Sequence, residues 1–407
     1  MRGLTQDFQA VLQRRLRPGA TTPLAVGFSG GGDSLALLRL TLDWAAAHGR
    51  PVLALTVDHG LNPASQGWTA DALAKARALG AQARALCWTG DKPATGLSAA
   101  ARAARHGLLA AAARQAGARV LLLGHTADDR LEAARMRAEG STTPDPRQWA
   151  PSPAWPEGRG VFVLRPLLEA RRRTLRDWLL ERGETWLEDP ANDDARFARA
   201  RARAALASET PIEPAPLEAG PSPSFDVEGE HALRLSRRAS AAQVAAACLC
   251  AAGTSTPPRG DRLERLSARL SSGEVFTAGL AGARIVADEA GVLFVREAGE
   301  GRRGGLSPLV LAAGETGVWD GRYEITAGAE PVAIRPLGGL STRLPPDEQQ
   351  ALKGFAAPVR SVLPAAVDAA GAVSSPILAG NGTIRARVLI RERFEAATGL
   401  VDQEPAT

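Results

Sequence analysis

Cysteine is scarce in this chain of 407 residues: Cys87, Cys248 and Cys250 are its three, and they make neither a disulfide framework nor a C-x-x-C pair. Its five histidines are scattered without metal-ligand spacing, which argues against zinc and iron-sulfur chemistry. Lysine is scarcer still. Of 49 Lys+Arg only Lys75, Lys92 and Lys353 are lysines, so the basic charge, +5 net, is almost wholly guanidinium, the group that grips phosphate with a bidentate fork. That balance permits a nucleic-acid partner without requiring one. Long apolar runs are missing too: the longest, Val244 to Ala252, falls far below the roughly 20 residues that cross a bilayer, so no membrane span is expected. Residues 1–20 carry arginines and Asp7 and lack the unbroken apolar stretch of a secretory signal. They read as the first helix of a cytoplasmic protein.

What is present is an ordinary globular composition, 45% hydrophobic and 23% charged, in a chain long enough for two or three domains. The first two hundred residues alternate short apolar runs with helical patterns. Strands are expected at 23–28, 51–57, 83–88 and 120–123, with helices between them such as 34–47 and 97–116. This is the signature of an α/β doubly wound, mostly parallel sheet, assigned to residues 1–207. Prolines 211, 214, 216, 221 and 223 mark residues 208–228 as a linker. Two small α+β modules are expected beyond it, at 229–330 and at 331–407. The first contains helices at 238–252 and 261–270 and a hairpin around 288–291. The second carries Arg335, Arg343, Lys353, Arg360, Arg385, Arg387, Arg391 and Arg393, a basic surface suited to RNA.

Ligands of doubly wound sheets sit beyond the carboxyl ends of the strands. After the first expected strand stands Ser29-Gly30-Gly31-Gly32-Asp33-Ser34. Consecutive glycines let backbone amides turn inward, the following helix start adds its positive dipole, and Ser29 and Ser34 supply hydroxyls. The stretch lacks both the Walker Lys-Ser/Thr ending and the dinucleotide fingerprint. Asp33 would repel phosphate unless it held a cation, which implies Mg²⁺.

Three more segments carry chemistry. Asp58 and His59 end the second strand, either as a ligand edge or as a plain strand-end turn. Arg102 and Arg105 share a helix face, where two guanidiniums can meet one anion or simply be solvated. His125, Asp128, Asp129 and Glu132 follow the fourth strand, with the acids spaced to cluster at a helix start; metal binding, general-base work and helix capping all fit. Arg196, Arg199 and Arg203 share a face of a later helix, a stripe for an RNA backbone, for clamping substrate, or for solvent.

The Ser29–Ser34 stretch resembles the PP-loop ATP pyrophosphatases. With Val57-Asp58-His59-Gly60-Leu61, the helix segment 99–106, Gly124–Glu132, Arg165-Pro166-Leu167-Leu168, the turn 186–193 and the run 197–203, the chain is similar to the tRNA(Ile)-lysidine synthetases. Three positions depart from that pattern: Thr126 replaces a second histidine, Ala200 an asparagine, and Arg137–Thr142 a glycine-serine-glycine loop. The resemblance implies a cytoplasmic ligase using ATP and Mg²⁺, free L-lysine, and tRNA(Ile) with a CAU anticodon; homodimerisation is left open. The cytosine carbon-2 oxygen would attack the α-phosphate and release pyrophosphate, and lysine's amine would then expel AMP. Ser29, Gly30, Gly31, Gly32, Asp33, Ser34, Asp58, His59, His125 and Glu132 would bind nucleotide. Asp33 and Asp129 would hold metal, Asp33, Asp129 and Arg102 would act in catalysis, and Arg199 and Arg203 would touch RNA. The rivals are a PP-loop tRNA sulfurtransferase, which wants cysteine thiolates near the loop, and a non-catalytic ATP- or RNA-binding protein.

Overall fold

A computed structural model describes residues 2–141, 143, 145–188, 198–208, 230–379 and 382–406. Contacts gather the chain into two units, Met1–Pro221 with Val401–Thr407, and Ser222–Leu400. The first unit runs α1 (Arg2–Arg15), β1 (Leu24–Gly27), α2 (Gly32–His48), β2 (Val52–Asp58), α3 (Ser65–Ala78), β3 (Gln82–Cys87), α4 (Leu97–Gln115), β4 (Val120–Leu122), α5 (Ala127–Ala138), β5 (Trp149–Pro151), β6 (Phe162–Leu164), α6 (Arg172–Leu180) and α7 (Ala198–Ser208). Its sheet has the order β3-β2-β1-β4-β6-β5, parallel except for β5 at one edge.

The apolar runs become strands because both faces of the sheet are covered. Side chains alternate along each strand. Leu24, Val26, Val52, Ala54, Val120 and Leu122 enter a core shared with α1, α2 and α6. Ala25, Leu53, Leu55, Leu121 and Val163 enter a second core with Leu109 and Ala113 of α4. The expected strands and helices of this unit fall within a residue or two of the observed ones; β5 and β6 were not expected, since three residues show no period and Pro151 belongs on an edge.

The second unit begins with β7 (Leu233–Leu235), α8 (Ala241–Ala252), α9 (Asp261–Ser271), β8 (Phe276–Leu280), β9 (Ala283–Asp288) and β10 (Gly291–Arg296), an antiparallel sheet of order β7-β10-β9-β8 with the expected hairpin at β9–β10. It continues with β11 (Leu309–Leu311), β12 (Thr316–Trp319), β13 (Tyr323–Thr326), β14 (Val332–Pro336), α10 (Pro346–Leu352), α11 (Ala357–Arg360), β15 (Pro364–Val367), β16 (Val373–Ser374), β17 (Arg385–Val388) and α12 (Ile390–Thr398).

The fold does not divide at residue 330. β11 pairs with β14, β13 pairs with β17, and α12 buries Ile390 and Phe394 in the core of Val244 and Cys248. Strands this short cannot bury a face alone, so they share one body. The expected linker lies, apart from Ser208 at the end of α7, outside the described residues. The basic set is also largely engaged within the unit. Arg387 pairs with Glu324 and Glu392, Arg391 pairs with Glu395, and half-buried Arg393 donates to the carbonyls of Leu249 and Thr254.

Candidate active site

The direction of winding reverses between β1 and β4, and the loops leaving those two strands are where such a sheet receives a ligand. After β1 the chain turns through Ser29–Gly32 into α2. Gly30 has φ +84°, in the left-handed region that favours glycine. The loop glycines also admit neighbours. A Cβ on Gly30 would lie 2.6 Å from Leu187 Cδ1, one on Gly32 would lie 3.4 Å from the Trp186 ring, and the Leu187 amide donates to the Gly30 carbonyl at 3.0 Å. Residues 186–187 therefore buttress one side of the loop. Ser34 Oγ accepts from the Ser29 amide at 3.2 Å and donates to the Gly31 carbonyl at 2.9 Å, which makes Ser34 a clasp of the loop. The first amide bonded back within α2 is that of Leu35, to Gly31, so the Gly32, Asp33 and Ser34 amides form the helix-start cradle.

The loop after β4 comes close to this cradle because Gly124 has no side chain: a Cβ there would lie 3.1 Å from the Asp33 carbonyl oxygen. Beyond it, buried Thr126 opens α5. Its amide and hydroxyl donate to Asp129 Oδ2 at 2.7 and 2.9 Å, so the residue replacing the family's second histidine orients Asp129. Asp128 points elsewhere, accepting from the Arg172 amide at 2.6 Å and pairing with Arg171 at 3.1 Å, and thereby ties the start of α6 to α5.

Asp33, Asp129 and Glu132 converge on one guanidinium. Arg172 places Nε 2.9 Å from Asp33 Oδ2, Nη1 3.2 Å from Glu132 Oε1 and Nη2 3.8 Å from Asp129 Oδ2. From α7, Arg203 Nε reaches Glu132 Oε1 at 2.9 Å, and Arg199 reaches Glu132 Oε2 at 3.3 Å and Asp129 Oδ1 at 3.7 Å. Arg199 and Arg203, expected on RNA phosphates, thus face the carboxylates; Arg196 lies outside the described residues.

Burial raises the Asp33 carboxyl above its usual range, with Arg172 opposing. Burial also pushes Asp129 up, but His125, Arg199, Arg172 and the Thr126 amide together hold it below its usual value. His125 contributes to that only where it is protonated, and burial keeps its own value well below the ordinary one. At neutral pH the arginines and the amide therefore keep Asp129 ionised. Arg165 Nε donates to His125 Nδ1 at 3.2 Å, which leaves the neutral ring's proton on Nε2.

No hydrogen bond or ion pair joins the Arg102 or Arg105 guanidinium to another described residue. Burial lowers both; Arg199 lowers Arg102 further, Arg102 and Arg199 lower Arg105 to about 10, and Asp129 opposes in each case, so both remain cationic at neutral pH. They are surplus positive charge beside Asp129. At the end of β2, Asp58 Oδ1 accepts from the Gly60 amide at 2.8 Å, so the strand-end turn is real. His59 stands edge-on to Trp88 with ring centroids 6.3 Å apart, and its buried Nδ1 has no hydrogen-bond partner among the described residues.

Residues 4–210 match the model of a PP-loop domain. The tRNA(Ile)-lysidine synthase of Caulobacter vibrioides is 56% identical over 405 residues, covering 98% of each chain. This chain belongs to the tRNA(Ile)-lysidine synthase family. The synthase of Mesorhizobium japonicum is 36% identical over 77% of this chain and 75% of its own. Among solved structures, a U34-tRNA thiolase from Methanococcus maripaludis aligns over 50% of this chain and 71% of its own at 16% identity and a TM-score of 0.41, too slight a likeness to bear on function.

As a lysidine synthase family member the chain is a PP-loop ligase, and in its structure Asp33 of the Ser29–Ser34 loop, Asp129 and Glu132 converge on Arg172. Arg172 was not singled out, and Arg165 and Trp186–Leu187 entered only as marks of the family resemblance, with no role given to them. The three consecutive arginines 171–173 after the Arg165–Leu168 segment are the signal that marks Arg172. A cavity lined by Gln13, Arg17, Trp44, His48 and Arg50 lies at the opposite, amino-terminal end of the strands and takes no part in this site.

Proposed function

We propose that this protein ligates free L-lysine to carbon-2 of the wobble cytidine of tRNA(Ile) with a CAU anticodon, using ATP and passing through an adenylated cytidine. The observation that carries this is the meeting of the Ser29–Ser34 loop, through its Asp33, with Asp129 and Glu132 around Arg172 at the reversal point of the sheet. The amides of Gly32, Asp33 and Ser34, with the Ser29 hydroxyl, would hold the β- and γ-phosphates and stabilise departing pyrophosphate. Arg102 and Arg105 would answer the charge that builds at the α-phosphate. Asp129, kept ionised, would take a proton from lysine's ammonium, and His125 Nε2–H would donate to an oxygen of the substrate. Asp58 and His59 would border the adenosine.

Mg²⁺ suits the donors present. It is commonly held by one or two carboxylates plus substrate phosphates, and Arg172 contacts only Oδ2 of Asp33. Among the described residues no group of three or more His, Cys, Asp and Glu is placed to hold an ion by itself, so phosphate oxygens would complete the set around Asp33, with Asp129 beside it. Bound with ATP, the ion would withdraw charge from the phosphates.

Arg199 and Arg203 would clamp the carboxylate wall, and the second unit would hold the tRNA. A sulfurtransferase reading is disfavoured by cysteine chemistry: burial pushes the thiols of Cys248 and Cys250 up to about 12, far from thiolate character. Pyrophosphate release with total tRNA, measured with and without labelled lysine, tests the proposal. Label in tRNA is the expected result; pyrophosphate without label would assign the chain another acceptor.

A further inference from the structure

The side chain of Arg172 is the one group among the described residues that contacts all three carboxylates, one through each guanidinium nitrogen. For Glu132 and Asp129 the arginines of α7 share that duty. Asp33 is different. Among the described residues its ion-pair partner is Arg172, and Asp33 sits in the loop itself, so any cation delivered there with a triphosphate competes with Arg172 for the same carboxylate.

The backbone of Arg172 is pinned. Its amide donates to Asp128 at 2.6 Å and its neighbour Arg171 pairs with Asp128 at 3.1 Å, so the start of α6 is fixed while a long, flexible side chain reaches into the site. A guanidinium displaced from Asp33 stays within reach of the loop's anion, because it begins 2.9 Å from a member of that loop. Displaced from Asp33, it keeps Glu132 at 3.2 Å but its Nε loses its acceptor in a mostly buried position, and a phosphate oxygen is the partner at hand.

We propose that Arg172 exchanges partners: it neutralises Asp33, Asp129 and Glu132 until Mg·ATP enters, then yields Asp33 to the metal and takes up the triphosphate. This rests on the reading of the loop as an ATP site. Arg172 thereby keeps free divalent cations out of the carboxylates and makes metal binding depend on nucleotide. A residue with a purely structural ion pair would not move the two affinities in opposite directions, and that difference is measurable without turnover.

The test uses the full chain and compares wild type, Arg172→Gln, Arg172→Lys and, as an exposed neighbour, Arg173→Gln. Free Mn²⁺ binding without nucleotide is followed by electron paramagnetic resonance, and Mg·ATP binding by calorimetry. In Arg172→Gln, Mn²⁺ should bind at least tenfold more tightly and Mg·ATP at least tenfold more weakly, with Arg173→Gln unchanged in both. Unchanged affinities, or two that fall together, would overturn the proposal. If Arg172→Gln does not fold, Arg172→Lys must show the same opposed movements at smaller size, and their absence overturns it equally. Wild type that binds no Mg·ATP would instead remove the reading of the loop as an ATP site.

Discussion

Glu404 grips Arg50 with both carboxylate oxygens, Oε1 to Nη2 at 2.7 Å and Oε2 to Nη1 at 2.8 Å, and both side chains are 1% exposed. The same carboxylate accepts from the Arg17 amide at 3.2 Å and the Thr22 hydroxyl at 3.1 Å, while Arg50 Nε donates to the Thr22 carbonyl at 2.9 Å. The segment 401–406 is therefore built into the first unit, although 179 residues of the second unit, Ser222–Leu400, precede it.

A buried pair of this kind is hard to break from one side, because the remaining charge has no solvent to turn to. Glu404→Gln should cost the first unit about 3–5 kcal/mol, the range found when one partner of a buried pair is removed. Thermal unfolding of the full chain followed at the first unit's tryptophans checks this; a midpoint within a degree of wild type would show that Arg50 finds another partner.

Asp33 offers a cleaner separation of chemistry from folding. Burial raises its carboxyl, so the charge is not a strong contributor to stability, whereas the proposed nucleotide cradle would make it a charge-handling group of the reaction. Asp33→Asn should lower tRNA-dependent pyrophosphate release at least a hundredfold, about 2.7 kcal/mol, with the melting temperature little changed. Near wild-type release would withdraw the metal role from Asp33.

His106 predicts an acid limb of stability. Burial, then Arg105, Arg102 and Arg165, push it down to about 3, and its Nδ1 has no hydrogen-bond partner among the described residues. An unfolded histidine titrates near 6.5, so from about pH 6.5 down to about 3 the unfolded chain binds the extra proton and stability falls as pH falls. The full slope is about 1.4 kcal/mol per pH unit, and above pH 6.5 the group contributes none. Urea unfolding at pH 7, 6 and 5 should show a flatter profile for His106→Leu than for wild type. His125 titrates in both proteins, so the difference between the profiles isolates His106, and parallel profiles would refute the assignment.

Much of the first unit was legible because its information is local. A parallel strand covered on both faces reads as an unbroken apolar run, and the loop that follows β1 announces itself in six residues, Ser29 to Ser34. Arg172 was not legible in that way: it meets Asp33 across 139 residues, and nothing in the sequence around either names the other. The buttress at 186–187 hides for the same reason, since it explains Gly30 and Gly32 only once the chain is folded. In the second unit the β9–β10 hairpin was readable, but the other strands, two to five residues long, leave no period to read, and the residues around Glu404 look like solvent-exposed chain.

Arg199 and Arg203 show that a charge run read for RNA can also meet carboxylates distant in sequence. Glu132 is 1% exposed and takes Arg203 at 2.9 Å, so Arg203→Ala strips a buried carboxylate of one cation and leaves it to Arg172 and Arg199. The variant should lose stability while the log-log salt slope of tRNA binding stays within about half a unit of wild type. Loss of a phosphate contact would lower that slope by about one. A slope reduced by a full unit would return Arg203 to the RNA.

The basic segment of the second unit needs a test other than deletion. Removing residues 331–407 takes β14 from β11 and β17 from β13, opening the core around Leu311, Trp319 and Ile325, and it also removes Glu404 from Arg50. Such a chain should unfold without a cooperative second transition, and its first unit should melt as low as in Glu404→Gln. It should still bind Mg·ATP at low temperature, because Arg50 precedes β2 at the end of the sheet away from the phosphate loop. Its loss of tRNA affinity would then report lost folding and say nothing of docking. Substituting exposed Arg335, Lys353 and Arg385 together avoids this, since no carboxylate pairs with them among the described residues and all three sit on formed elements or their ends. If this face meets tRNA phosphates, glutamines at the three positions should weaken tRNA at least tenfold, about 1.4 kcal/mol, and lower the salt slope by about one unit per lost contact, with Mg·ATP affinity and melting temperature unchanged. Filter binding at two salt concentrations distinguishes the outcomes: an unchanged slope would make these residues ordinary surface and leave tRNA recognition to other parts of the chain.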